Sequence, residues 1–293
     1  MRSLLFVPGD SDRKIAKAMS SGADALILDL EDSVALDRKE EARAMTRDFI
    51  ASAKGQEKRP RLYVRINALT TDLWSADLEG VMPAGPDGII LPKPRSGEDV
   101  HRLSLALDHA EERAGLKQGS TRIVAIATEV PICVLNMASF VGSSGRLEGL
   151  TWGAEDLSAE VGSTATREPN GSLTSPYRLA RDLCLFTAVS AGVQPIDTVF
   201  IDFRDLDGLR AEAAAAARDG FTGKLAIHPD QVPIINAAFT PSQREIDHAR
   251  DIVAMFAASP GAGVISLNGR MYDRPHLTRA ERVLARAGLA SGE

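Results

Sequence analysis

Cysteine is scarce: Cys133 and Cys184 are the only two in 293 residues, and both sit in apolar stretches. Two cysteines make no disulfide framework. No Cys/His cluster has zinc spacing. Long apolar runs are missing as well, and none approaches the ~18 residues that a spanning helix needs. The stretch Leu4–Pro8 is shorter than the ~7–15-residue core of a secretion signal. A cytoplasmic protein is therefore expected, without a membrane role. Basic excess is absent too: 34 Lys+Arg stand against 40 Asp+Glu, a net charge of −6. That balance argues against a general nucleic-acid binder, which carries a basic face. It also disfavours a polybasic membrane-surface protein. No G-x-G-x-x-G follows an apolar run, so the main signal of a dinucleotide fold is lacking.

What is present is an alternation. Short apolar runs occur at Ser3–Val7, Ala25–Leu30, Arg61–Ile66, Gly88–Leu91, Arg122–Thr128, Leu147–Trp152, Asp197–Ile201 and Gly223–Ile227. They show little polar alternation, as strands buried on both faces of a parallel sheet do. Helix punctuation falls between them. Ser11 or Asp12 starts a helix that Gly22 stops, and Ser175-Pro176 starts another. The alanine-rich Ala211–Ala217 is a strong helix former ending near Gly220. Thr240-Pro241-Ser242-Gln243 reads as a capping box with proline at the first helical position. Eight such units in this length predict an α/β fold, a (β/α)8 TIM barrel, over residues 1–235. Residues 236–293 read as a C-terminal helical extension, a lid or oligomer contact. It would hold a helix from Thr240 to about Ala258, a turn at Pro260–Gly263, a polar loop Asn268–Pro275 and a last helix.

In such a barrel the chemistry sits at the C-terminal ends of the strands. Those ends carry Asp29-Leu30-Glu31-Asp32, Arg65-Ile66-Asn67, Lys93, Glu129, Glu155-Asp156, Asp202 and His228. Glu129 and Asp156 come from neighbouring strands. Carboxylates converging without Cys or His suit a hard cation such as Mg2+, which takes one or two of them. The plainer alternative is that each caps the following helix. Arg65 is placed to grip a substrate carboxylate or an enolate, or to pair internally with Asp29, Glu31 or Asp32. Lys93 is either a Schiff-base lysine or the partner of a rim carboxylate. His228 is a base or a loop histidine held by its backbone. His101, His109, His248 and His276 read as solvated, and Trp152 and Tyr63 as core.

Taken in order, FVPG, LDLEDSV, YVRIN, LPK, TEVP, WGAEDLSAEVG, IHPDQ and GRMYDRPH resemble the citrate lyase β-subunit-like family. Its relatives include malyl-CoA and citramalyl-CoA lyases, and the resemblance spans residues 3 to about 285. It implies a (β/α)8 barrel that binds a 2-oxoacid unit on Mg2+, with Mn2+ a possible substitute. Glu129 and Asp156 match the metal ligands, and Arg65 matches the arginine at the substrate carbonyl. Asp29, Glu31 and Asp32 match the acidic motif that orders this arginine and the metal waters. Phe6, Val7, Lys17, Ile227 and His228 match coenzyme A contacts, and Glu155 is expected among the substrate or coenzyme A contacts. Relatives often carry Arg where this chain has Ser11, and Arg13 and Lys14 stand close enough to replace it. Asp273 matches a tail aspartate that family members insert into a neighbouring subunit's site, which implies a homotrimer or a dimer of trimers.

The resemblance implies cleavage or formation of a 3-hydroxyacyl-CoA such as malyl-CoA or citramalyl-CoA. The products would be acetyl-CoA and glyoxylate or pyruvate. A malyl-CoA-type thioesterase, or a citrate lyase β subunit acting on a citryl thioester, remains open. So do a metal-free aldolase using Lys93 and a non-catalytic subunit that binds CoA metabolites.

Overall fold

The computed structural model describes residues 1–267 and 269–289. They fall into two compact units, Met1–Asn236 and Ala237–Glu293. Eight parallel strands close the first unit into a barrel: β1 Ser3–Pro8, β2 Ala25–Asp29, β3 Arg61–Arg65, β4 Gly88–Leu91, β5 Arg122–Ile126, β6 Leu147–Thr151, β7 Gln194–Asp197 and β8 Gly223–Ala226. β8 pairs back onto β1, so the sheet has no edge. Seven of the eight strands lie within the expected apolar runs to a residue or two.

The seventh does not. The run Asp197–Ile201 was expected as a strand, yet β7 ends at Asp197 and begins three residues earlier. Pro195 hid it, because a residue without an N–H reads as a strand breaker. Val199–Ile201 instead leave the sheet as irregular backbone, and Ile201 is 61 % exposed. Asp202 accordingly lies in an exposed loop beyond the strand and not at its tip.

Side chains alternate along each strand, so Ala25, Ile27 and Asp29 share one face of β2, and Tyr63 and Arg65 share the same face of β3. Leu4, Ile27, Tyr63, Ile90, Val124, Ile196 and Leu225 pack together as a single apolar cluster. Asp29 and Arg65 continue those columns beyond it, at the C-terminal ends of β2 and β3. At the N-terminal ends, Arg61 pairs with Glu148 at 2.9 Å and the Tyr63 hydroxyl donates to the same carboxylate. This polar plug is structural, whereas the upper end is free for chemistry. Gly88 is required beside it, since a Cβ there would meet Tyr63 Cε1 at 2.4 Å.

The second unit packs helices Gln243–Ala257 and Arg274–Arg286 with a two-stranded hairpin, β9 Val264–Leu267 and β10 Arg270–Asp273. Two expectations change here. The segment expected as a polar loop is largely strand β10; Asn268 lies outside the described residues. The missed signal was Asn268-Gly269 between two strand-like runs, a hairpin turn pair. The helix starts at Gln243, and its capping box is Ser242 with Glu245, not Thr240 with Gln243. Ile252, Phe256, Ile265, Tyr272 and Leu284 form its small core.

Candidate active site

Parallel pairing puts Arg65 of β3 opposite Asp29 of β2. The guanidinium takes both carboxylate oxygens, Nε to Oδ1 and Nη2 to Oδ2, each at 2.7 Å. Nη1 lies 3.1 Å from Glu31 Oε2. Burial works against the arginine charge, but Asp29 and Glu31 outweigh it and its pKa is raised. Burial likewise opposes ionisation of Asp29, and the Arg65 bonds overcome it, holding that carboxyl below its ordinary range. Phe6 of β1 lies under the guanidinium, 4.8 Å from ring centre to carbon. Arginine has five N–H donors. The two hydrogen bonds to Asp29 engage two of them and leave three, the Nη1 pair among them lying beside Glu31.

Glu129 follows β5 and is 3 % exposed. The Lys93 amide donates to its Oε2 at 2.7 Å. Burial, with Glu31 and Asp156 adding repulsion, pushes its carboxyl well above the ordinary range. Gly153 packs so closely that a Cβ would stand 2.9 Å from Glu129 Cγ. Thr128 Oγ1 accepts from the Gly153 amide at 3.0 Å and ties the two loops together. Asp156 lies on the first turn of helix Glu155–Val161, partly exposed.

Lys93 connects the two halves. Its backbone is left-handed, φ 49°. Its ammonium lies 2.7 Å from Glu31, 2.9 Å from Asp32 and 3.3 Å from Asp156. Burial opposes the charge, yet Glu31 and Asp32 prevail and the pKa is raised. A Schiff base needs the neutral amine, so the pairing reading of Lys93 is the one this geometry supports.

The internal ion pair of Arg65 is thus present, and the same side chain faces open space. A cavity of about 310 Å³ is lined by Phe6, Val7, Asp29, Ser33, Arg65, Val199 and Ile227. Val199 was missed by sequence, because its run was assigned to a strand. Ser33 was missed too; its amide donates to Asp29 at 3.1 Å. Arg13, Lys14 and Lys17 lie on exposed positions of helix Asp12–Met19 and make no part of this lining. Glu155 lines a different cavity, of about 930 Å³, with Trp152 and Thr198. His228 is the loop histidine: its Nδ1 accepts from the Asp230 amide at 3.3 Å, and its ring stacks on Phe203 at 5.0 Å.

Asp273 belongs to the second unit, where it ends β10. Its neighbour His276 is not merely solvated, since Nδ1 lies 2.5 Å from Asp273 Oδ1. His248 is engaged as well, edge-on to Tyr272.

Five carboxylates (Asp29, Glu31, Asp32, Glu129, Asp156) meet Arg65 and Lys93 at this mouth, with a third cation, the buried Lys39, behind them on the Leu30 and Glu31 carbonyls. Glu31 Oε2 is buried without a hydrogen bond, its 3.1 Å approach to Arg65 being off the donor direction. Burial raises the Glu31 pKa despite Arg65 and Lys93. A site short of positive charge, with oxygen donors only, fits a hard divalent cation. Among the described residues no three His, Cys, Asp or Glu side chains form a ready cage. A carboxylate pair completed by water and substrate is what Mg2+ takes.

A closed barrel with an ionisable, cation-seeking mouth is an enzyme architecture, and residues 179–290 match a model described as a carbon–carbon bond lyase of the TIM-barrel fold. Residues 2–229 match the HpcH/HpaI aldolase/citrate lyase model, and the chain belongs to that family of lyases. Citrate lyase subunit beta of Escherichia coli (strain K12) is 38 % identical, covering 99 % of this chain and 94 % of its own. The (3S)-malyl-CoA thioesterase of Cereibacter sphaeroides (strain KD131) is 34 % identical over 98 % and 94 %. The crystal structure of CitE from Mycobacterium tuberculosis with magnesium, acetoacetate and coenzyme A superposes with a TM-score of 0.78. It is 32 % identical and covers 98 % of this chain and 100 % of its own.

Proposed function

We propose that this enzyme is a Mg2+-dependent lyase that cleaves, or forms, a 3-hydroxyacyl-CoA such as malyl-CoA or citramalyl-CoA. The products are acetyl-CoA and a 2-oxoacid. The observation that carries the reading is Arg65, clamped by Asp29 and Glu31 beside the Glu129–Asp156 pair. Glu129 and Asp156 would hold the cation, which supplies Lewis-acid polarisation of the 2-oxoacid oxygens. Arg65 presents N–H donors not taken by Asp29 to the oxygen that gains charge as the carbon–carbon bond breaks. Because Asp29 and Glu31 fix the guanidinium beforehand, little reorganisation is needed at that moment. Lys93 keeps Glu31 and Asp32 apart from the reacting oxygens by pairing with both. Phe6, Val7, Val199 and Ile227 give the thioester arm an apolar wall. Asp273, supplied by a neighbouring copy in a homo-oligomer, carries the proton to or from the acetyl methyl carbon.

Product analysis with malyl-, methylmalyl-, citramalyl- and citryl-CoA tests this. We expect a 2-oxoacid and an acyl-CoA (propionyl-CoA from methylmalyl-CoA, acetyl-CoA from the others) with Mg2+ and none after EDTA. Cleavage that persists in EDTA, or an adduct at Lys93 trapped by borohydride, would sink the proposal. Two other readings have support in the relatives. Free malate and CoA would indicate a thioesterase, as named for the Cereibacter relative. Turnover of citryl-CoA alone would indicate a citrate lyase β subunit.

A further inference from the structure

The second unit contains a pair of groups that the reaction above leaves unexplained. Asp273 and His276 stand three residues apart where β10 passes into helix Arg274–Arg286. His276 Nδ1 is 2.5 Å from Asp273 Oδ1 and 3.3 Å from the Asp273 amide nitrogen. One ring nitrogen cannot donate to the carboxylate and accept from the amide together. The shorter contact, to a charged oxygen, is the stronger, so Nδ1 carries the proton and donates to Asp273.

The Tyr272 and His276 rings meet in a T-shaped contact at 5.3 Å and 77°. Tyr272 is itself buried, and its hydroxyl lies 3.4 Å from His248 Nε2 on helix Gln243–Ala257. The charged and titratable groups about this corner are Glu245 and His248 from that helix, Arg270 and Tyr272 from β10, and His276 and Arg279 from the last helix. Strand β9 contributes none. Arg274, next to Asp273, lies over Phe256 at 5.8 Å. His276 is the side chain that holds the Asp273 carboxyl below its ordinary range, first by its hydrogen bond and then by charge.

We propose that His276 is a positioning residue for Asp273. It fixes the orientation of the carboxylate through the Nδ1–Oδ1 contact, ready to accept the acetyl methyl proton in the condensation direction. The proposal rests on Asp273 being the proton carrier. Asp273 is also the N-cap of helix Arg274–Arg286, and a capping role alone would leave the charge state of Asp273 without consequence.

Two measurements on the full-length protein separate the possibilities. Carbon-13 NMR of the Asp273 carboxyl is followed through a pH titration in the wild type, His276→Val and His276→Asn. We expect the midpoint to rise in His276→Val and to fall between the two in His276→Asn, which keeps a neutral donor. In parallel, the acid limb of the condensation rate should move to higher pH with the midpoint. The kcat of His276→Val should fall about tenfold with KM for acetyl-CoA nearly unchanged. An unmoved midpoint overturns the proposal. So does an unmoved acid limb while Asp273→Asn is inactive. A fully active Asp273→Asn instead removes the proton-carrier reading itself. If His276→Val does not fold, His276→Asn carries the test, and a wild-type midpoint in it counts against the proposal.

Discussion

The barrel mouth and the C-terminal unit each hold an acid that the proposed function uses, and they hold it by opposite means. Arg65 and Asp29 are 36 positions apart in the chain, and Lys93 and Glu31 are 62 apart. Their geometry exists only once the barrel has closed. Asp273 is held by a residue three positions on, within one helix start, and its side chain is 43 % exposed. The mouth is thus preorganised by tertiary structure, which suits groups that must meet a transition state without rearranging. The C-terminal acid is set by local structure, from a residue of its own unit. On the proposed function, that difference suits an acid offered to another copy of the chain.

The comparison is broken most severely at the mouth. Asp156→Ala or Glu129→Ala leaves a divalent cation with half its carboxylate charge. Partners behind metal ligands already matter by ~10–100-fold, so losing a ligand should cost more than about 100-fold in turnover, with the fold intact by circular dichroism. Normal Mg2+-dependent rates in either variant would remove the metal assignment. Arg65→Lys comes next. It keeps charge but cannot hold Asp29 in bidentate fashion while presenting further donors. We expect kcat to drop by roughly 10²–10³-fold, more than KM rises. Unchanged kcat would reduce Arg65 to an internal ion pair.

A third experiment sets the two regions against each other. Asp273→Ala and Arg65→Ala should each be nearly inactive alone. Mixed, with subunit exchange, some interfaces would join an intact mouth to an intact Asp273, and a fraction of activity, at most about a quarter in a random mixture, should return. No recovery after verified exchange would place Asp273 in its own subunit's site or outside catalysis.

The barrel was legible because buried parallel strands write themselves as unbroken apolar runs, and rim residues are whatever follows each run. Asp29, Arg65, Glu129 and Asp156 were found that way. Val199 was not, because Pro195 shifted the apparent strand by three residues. The ion-pair pattern was also beyond sequence. Whether Lys93 meets Glu31, Asp32 or Asp156 depends on a left-handed backbone at Lys93 and on barrel register. In the C-terminal unit the hairpin signal lay in a dipeptide between two short runs. The Asp273–His276 pair had only a D-x-x-H spacing to announce it.

The smallest effect is the one that isolates charge from chemistry. Burial and the carboxylates Glu31 and Asp156 raise the Glu129 pKa in the chain without a cation. A carboxyl so raised binds its proton more tightly folded than unfolded. Its contribution to stability is fully present below the ordinary carboxyl range and is lost as pH rises through the raised value. A cation held there takes over from the proton, and it binds only the ionised form. Mg2+ should therefore raise Tm more at ~pH 8 than at ~pH 5, by a few degrees. Glu129→Gln, neutral at both, should abolish the difference and most of the shift. Asp273→Asn, in the unit whose acid is exposed and already stabilised as an anion, should leave both in place. Equal Mg2+ shifts at the two pH values, or shifts that survive Glu129→Gln, would move the cation away from the mouth even if every turnover experiment had come out as expected.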